Sequence, residues 1–461
     1  MGSLALFTLL IDYMANAEGL ATIPPKRRAP LLAALAIAGL FFAFAGDGIR
    51  AYFTPDDMMN LYVSWSAPAG RLLHNDRPMG AIVYRAMFAL FGLNPLPYRV
   101  LCFGLLAANL VLLYRLCRRL SGSREVAALA CLLGAYHAHL ADLYYSTGTI
   151  YDLLCALFFL LAFVFYLEGR ATVWVVALYV CALASKEMAV LLPAYVLLYE
   201  WIWHRNWKSR FVWIAIPITG LYLVWKLTGP MVANPSYAPH FSLHAFLTAW
   251  KAYAGDLFYG AIAFSTVKLV LLWAAVAACA AIVRRREAWL AWWIVMLGVL
   301  PFIFIEPRGF FVMYLVMPGW YLLAASALVR ARDAFPRWAD ALAVTPGQLA
   351  LFAAVVLTLI PLHRAEKPLG DSWVAGAHQQ VRTILGTLEA RNPTMPRGGK
   401  VLFLSDPYDV DDWILTSTFR LAYHDRNLHV DRVKADASLA DRQGEYDHVF
   451  RLGEKGLEMV K

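Results

Sequence analysis

Thr54-Pro55-Asp56-Asp57-Met58-Met59-Asn60 places two adjacent carboxylates between the first two long apolar segments of the chain. Such a pair can take a proton from a hydroxyl or hold a cation, and ionised Asp is costly near a bilayer, so it marks a candidate site. The plainer reading is a loop start that caps the following helix, since Asp is a favoured N-cap. Three further groups carry ionisable or aromatic residues. His137-Ala138-His139-Leu140-Ala141-Asp142 is followed by Tyr144, Tyr145, Thr149, Tyr151 and Asp152; Ser185-Lys186-Glu187 stands alone; Glu306-Pro307-Arg308 precedes Phe311, Tyr314 and Pro318. Each has its own plain reading: Asp142 caps a helix, Lys186 and Glu187 pair and snorkel, and Arg308 anchors among headgroups.

The elements that must position these residues are membrane helices. The chain has 461 residues, of which 61% are hydrophobic and 16% charged. Its mean hydropathy is +0.55, and the apolar share exceeds the roughly 45–50% of soluble domains. Eleven apolar runs lie at about 30–46, 97–117, 125–142, 150–167, 171–185, 188–203, 211–227, 257–283, 288–305, 310–329 and 347–363. Those at 171 and 188 are shorter than the ~20 residues of a usual span and read as one tight helical hairpin. The expected fold is an all-α polytopic membrane protein, residues 1–363, with a small α/β domain over 364–461.

Basic clusters at Lys26-Arg27-Arg28, Arg115 to Arg124, Arg170, Arg205 to Arg210, Arg284-Arg285-Arg286 and Arg330 to Arg337 occupy every second connection. Lys and Arg gather in short cytoplasmic loops, which puts the N-terminus in the cytoplasm and, after an odd number of spans, Asp56, Asp57 and the C-terminal tail outside. The formal charge is +9, yet from Arg364 onward there are 14 basic and 15 acidic residues. The excess therefore reports topology, and a nucleic-acid partner is not expected. All six cysteines lie in or beside apolar runs, without disulfide or zinc spacing. The first 14 residues read as an interfacial helix and not as a cleaved signal.

Two long outer segments, 47–96 and 228–256, flank the spans. The first holds a helix over Met79 to Leu93, suited to the interface plane; the second holds Pro230, Pro235, Pro239, His240 and His244. Beyond them, helix is expected over Ser372 to Ala390, a strand over Lys400 to Leu404, helix over 412–424 and strand over 446–452. Asp406, Tyr408, Asp409, Asp411, Asp412 and Trp413 follow the first strand and read as a turn capping the next helix, with acceptor contact as the alternative.

In the topology drawn from loop charge, all four groups fall on one membrane face. Acids and cations there suit attack by a hydroxyl on the anomeric carbon of a sugar carried by a lipid phosphate. A carboxylate takes the proton, a contribution of ~10²–10⁴ in rate, and Lys or Arg steadies the departing phosphate. No Gly-rich phosphate loop is present.

This arrangement resembles the GT-C superfamily of integral-membrane glycosyltransferases, and within it the protein O-mannosyltransferase branch and its bacterial aminoarabinose-transferring relatives. Asp56-Asp57 matches the acidic motif of the first outer loop. His137 to Asp142 is similar to a His-Pro-then-acid pattern with Ala138 in place of proline. Ser185-Lys186-Glu187 with Pro193 resembles a Ser-Lys-Glu segment, and Glu306 to Pro318 a Glu-Arg-Tyr-Pro segment with an extra Pro307. The resemblance implies direct displacement with inversion, Asp57 or Asp56 as general base, Asp142 as its helper, and Lys186 and Arg308 on the donor phosphate. His137, His139, Tyr145, Asp152, Glu187, Glu306 and Tyr314 would line the substrate pocket. It implies a polyprenyl-phosphate-linked sugar donor, an acceptor of unspecified class and surrounding lipid as partners. No cofactor is assigned; a divalent cation, Mg or Mn, at Asp56, Asp57 and Asp142 is the minor alternative. The tail lacks a Trp-Trp-Asp signature.

A transporter or flippase of lipid-linked sugar would instead line a path through the membrane and show paired broken helices, whereas most helix centres here are apolar. A non-catalytic scaffold that binds the lipid-linked sugar is the third reading, and a degenerate member would be expected to lose its carboxylates. A bacterial inner membrane is the expected location, with the tail on the periplasmic side.

Overall fold

A computed structural model describes residues 25–68, 76–228, 238–334, 344–410, 412–453 and 456–461. The first 24 residues, with the expected interfacial helix, lie outside the described residues, as do Pro230, Pro235, Arg337 and Asp411. The chain groups into two compact units. One comprises residues 1–47, 103–140 and 152–368; the other comprises 48–102, 141–151 and 369–461. The first long loop and the C-terminal tail thus belong to the same unit.

The first unit is helical. Each of the eleven apolar runs carries helix, and the chain is a polytopic membrane protein with a small C-terminal α/β domain. Among the described residues six helices are long and apolar enough to cross a membrane, or seven if the bent pair Arg124–Gly134 and Ala138–Tyr145 counts as one. The remaining runs are shorter helices, two of which follow 3-10 turns: Glu187–Leu191 precedes Leu192–His204, and Phe310–Leu315 precedes Met317–Asp333. Helices pack closely where small residues permit. A Cβ on Gly319 would meet Ile294 Cγ2 at 2.8 Å and the Ala291 carbonyl at 3.0 Å, so this glycine lets Met317–Asp333 lie against Arg286–Gly298.

The segment expected as the second outer loop is partly ordered as the Leu243–Leu257 helix, whose N-cap Ser242 accepts from Ala245 N–H. The run at 347–363 and the helix expected from Ser372 form one helix, Val344–Arg391, that continues through Pro361 and Pro368. Each proline removes one backbone donor, which weakens a helix without necessarily ending it.

In the second unit, the helices Pro55–Ser66 and Pro78–Phe91 pack together, and Ile414–Ala422 packs on the former. Strands β1 (Lys400–Ser405), β2 (His429–Arg432), β3 (His448–Gly453) and β4 (Gly456–Met459) form a sheet of order β2-β1-β3-β4. β1 is parallel to both neighbours, with Val401 opposite Val430 and His448, while β3 and β4 are antiparallel. Alternation along β1 divides the core. Leu402 packs with Tyr446 and Val449, while Phe403 meets Phe419 and Phe450 at ring-centroid distances of 5.2 and 5.8 Å. The Ile414–Ala422 helix thereby covers the Phe403 face of the sheet.

Candidate functional site

Thr54 ends the extended chain before Pro55, which opens the helix at a position where a missing N–H costs nothing. The Thr54 hydroxyl accepts from Asp57 N–H at 3.2 Å and the Asp57 carboxylate accepts from Thr54 N–H at 2.8 Å, a reciprocal capping box. Asp57 is fully buried. Its other oxygen accepts from the Ser146 hydroxyl at 2.8 Å and from Gly148 N–H. Both carboxylate oxygens are therefore committed to holding the helix start. Asp56, one residue earlier, is exposed. The two readings of the acidic pair fall on different residues.

The Ser146–Thr149 loop sets the approach to Asp56. A Cβ on Gly148 would lie 2.6 Å from Asp56 Oδ2 and 3.3 Å from Asp57 Oδ1, so the backbone there comes closer than any other residue allows. Tyr84 donates to the Thr147 carbonyl at 2.8 Å. Burial, and after it the Asp57 charge, pushes its phenol well above the ordinary range, so Tyr84 stays a neutral donor. Arg77 lies over the Tyr151 ring, 5.5 Å from its centroid, and Tyr151 donates to Asn60 Oδ1 at 3.3 Å. Asn60 in turn donates to the Asp56 carbonyl at 2.8 Å. Arg77, Tyr151, Asn60 and Asp56 are thereby linked in one chain of contacts, which brings a guanidinium into the group that holds the exposed carboxylate.

Asp142 is buried in the Ala141–Tyr145 turn of helix, and its carbonyl accepts from Ser146 N–H at 2.8 Å. The Tyr145 carbonyl accepts from His378 Nε2 at 3.0 Å. Arg99, fully buried, donates to the Gly48 carbonyl at 3.0 Å and to the Tyr144 carbonyl. Burial holds the His378 imidazole below its ordinary pKa, although the Asp57 charge opposes the shift. Asp56, Asp57, Asp142 and Tyr145 thus share one unit, built from the first loop, the 141–151 turn and the tail.

The other predicted residues belong to the first unit. Lys186 is buried and its Nζ donates to Asp152 Oδ1 at 2.5 Å. The same ammonium stands 4.9 Å from the Phe311 ring centroid. Tyr314 lies within electrostatic reach of Asp152, and Glu187 opens the 3-10 turn that follows Lys186. The Arg308 backbone N–H donates to the Tyr253 hydroxyl at 3.0 Å, while Glu306 is exposed. Burial raises the Tyr253 phenol to about 12 against the lowering effect of Arg308. His137 is sandwiched between Tyr259 and Phe310, at 4.3 and 5.0 Å between centroids, and its Nε2 lies 3.3 Å from the Leu257 carbonyl. His139 Nδ1 is 3.1 Å from Asp256 Oδ1. Among the described residues no group of three or more His, Cys, Asp or Glu side chains is placed to hold a metal ion.

Residues 75–228 match the family model described as dolichyl-phosphate-mannose-protein mannosyltransferase. The matched stretch begins just before Arg77, takes in the 141–151 turn and runs past Lys186; Asp56, Asp57, Glu306, Arg308 and Tyr314 lie outside it. The match covers less than half of the chain. No curated protein matches the chain. Crystal structures of ArnT from Cupriavidus metallidurans are similar, in the apo state at 16% identity and a TM-score of 0.49, and bound to undecaprenyl phosphate at 15% and 0.48. Each comparison covers 92% of this chain and 94% of that one.

Within residues 75–228, Arg77, Ser146 and Gly148 are parts of the acidic-pair neighbourhood that the sequence reading missed, and Arg99 is a support of the 141–151 turn that it missed as well. Ser146-Thr147-Gly148-Thr149 is a turn signal by composition, and Thr54 with Asp57 three residues on is a capping box by spacing. Arg99 and His378 meet the 141–151 turn across separations of 45 and 233 residues, for which no local pattern exists.

Proposed function

We propose that this chain is an inverting glycosyltransferase that moves a sugar from a polyprenyl-phosphate-linked donor to a hydroxyl-bearing acceptor at the outer face of the membrane, with Asp56 as the general base. The observation that carries the reading is the division of labour in the acidic pair: Asp57 spends both oxygens on structure, and Asp56 is left exposed beside Gly148. The acceptor oxygen attacks the anomeric carbon, its proton passes to Asp56, and the carbon–oxygen bond to phosphate breaks with its electron pair leaving on the phosphate. One displacement inverts the anomeric centre and needs no covalent enzyme intermediate.

A departing phosphate needs positive charge in a fixed direction, and a guanidinium fork supplies it with two parallel donors. Arg77, linked to Asp56 through Tyr151 and Asn60, is the candidate for this role in the same unit. Lys186 and Arg308 are the headgroup-binding candidates of the membrane unit, although Lys186 is already neutralised by Asp152. Tyr84 and Asp142 position the 141–151 turn on which the base depends.

The test is to purify the protein with its native lipids, identify any prenyl-phosphate sugar by mass spectrometry, and follow its consumption. Wild type should release polyprenyl phosphate, while Asp56→Asn should bind the lipid and fail to turn it over. A bound phospholipid alone, or an Asp56→Asn variant as active as wild type, would overturn the assignment.

A further inference from the structure

The tail does more in its own unit than form a sheet. At the end of the Ile414–Ala422 helix, Arg420 donates to the Leu428 carbonyl at 2.8 Å and also reaches the Tyr62 hydroxyl, with its guanidinium 5.6 Å from the Tyr62 ring centroid. Arg426 donates to the Trp65 carbonyl at 2.7 Å and stands 4.8 Å from the Trp65 ring centroid. Trp65 lies in the last turn of Pro55–Ser66, where carbonyls lack intrahelical partners and a cation is favoured by the helix dipole. Between the two arginines, His424 has a φ of +51°, a left-handed conformation that ends its own helix. This turn brings the imidazole to Phe88, stacked at 4.7 Å and 16°, and edge-on to Trp65 at 5.8 Å.

These contacts fall on two different helices. Pro55–Ser66 begins with Asp56 and Asp57, and Pro78–Phe91 is preceded by Arg77 as its N-cap. The first is held at its N-terminus by Thr54, Ser146 and Gly148, and at its C-terminus by Arg420 and Arg426. The second is reached by His424 through Phe88. We propose that the 420–426 turn is a positioning element: Arg420, His424 and Arg426 set the relation of the two helices and thereby the placement of Asp56 relative to Arg77. This rests on the reading of Asp56 as base, and it assigns the tail a part in catalysis separate from any acceptor contact.

The experiment uses the full chain in lipid nanodiscs and hydrogen-exchange mass spectrometry over residues 55–66 and 78–91, with β1 as internal reference. Arg426→Ala should speed exchange in the last turn of Pro55–Ser66 by about tenfold, the scale of one charge-assisted bond, and leave β1 unchanged. Arg426→Lys should restore most of the protection. Tyr62→Phe, which removes only the hydroxyl that Arg420 meets, should speed the same segment by a smaller factor and serves where the arginine variant does not fold. In the same samples, release of undecaprenyl phosphate from its mannose-linked form should fall by ~10²-fold in kcat for Arg426→Ala, as expected of an ångström-scale misplacement, with KM little changed. Unchanged exchange in both helices overturns the proposal. Accelerated exchange supports it even where wild type leaves that donor intact, an outcome that counts instead against the transferase reading.

Discussion

Asp57 and Asp152 are both buried carboxylates, and the chain satisfies them by opposite means. Asp57 is met by two backbone N–H groups and a hydroxyl, all neutral donors. Asp152 is met by a full positive charge, Lys186, at 2.5 Å. Neutral donors stabilise a carboxylate through their dipoles and leave its negative charge uncancelled. An ion pair cancels its own field, and the Lys186 charge is already matched before any phosphate arrives. The contrast separates a place built to leave a charge reactive from one built to make a charge tolerable in lipid.

That contrast is sharpened first at Asp56. Asp56→Asn should lower turnover by ~10²–10⁴, the usual worth of a general base, with the thermal melt unchanged because the side chain is exposed; equal loss of rate and stability would erase the distinction from Asp57. Next comes the ion pair. Lys186→Met alone strands a buried carboxylate and should cost about 3–5 kcal/mol, read as a large drop in melting temperature, whereas Lys186→Met with Asp152→Leu should recover most of it. An additive double variant would show that the two charges are not coupled.

Asp57→Asn should cost about 1–3 kcal/mol, from the capping box and the Ser146 bond together. Gly148→Ala should lower the melting temperature, because its methyl crowds Ser146 Oγ and Asp57 Oδ1 at 3.2 and 3.3 Å, and should reduce kcat by roughly tenfold or more, because it displaces the Asp56 carboxylate. The smallest effect is on pH. The folded-state pKa of His378 lies below its ordinary 6.5, so the unfolded chain binds the proton more readily, and stability falls as pH drops below 6.5 towards the folded value. Asp425, held below the ordinary 3.8 by N–H donors from Gly398 and Asn427, adds a loss of the same sign at lower pH. His378→Gln should flatten the first part of that slope in melts recorded across the acid range.

Much of this was legible in the chain before folding. Long apolar runs located helix in all eleven places, and the short apolar run at Lys400 to Leu404 found β1. The acidic pair was legible as a place but not as a division of roles, because burial decides which of two neighbours caps and which reacts. Strands β2 and β4 escaped notice since each has four residues and depends on pairing with a distant partner. The acidic cluster after β1 is organised as a turn: Arg432 grips Asp406 at 2.5 and 3.0 Å and the Asp409 carbonyl at 2.7 Å, while Asp412 accepts from Ile414 N–H at 3.0 Å. His137 and His139 drew attention as chemistry, and their aromatic and carboxylate neighbours at 256, 259 and 310 are invisible to any local reading.

The Asp152–Lys186 pair also has a consequence for biosynthesis. The carboxylate emerges from the ribosome 34 residues before its ammonium, and an ionised Asp in the first turn of the Ile150–Leu167 helix is costly to leave unmatched beside lipid. Helix Ile150–Leu167 therefore carries a charge at its first turn that is matched only once Thr172–Leu183 has followed and Lys186 arrives. Two distant codons are joined in a single insertion event.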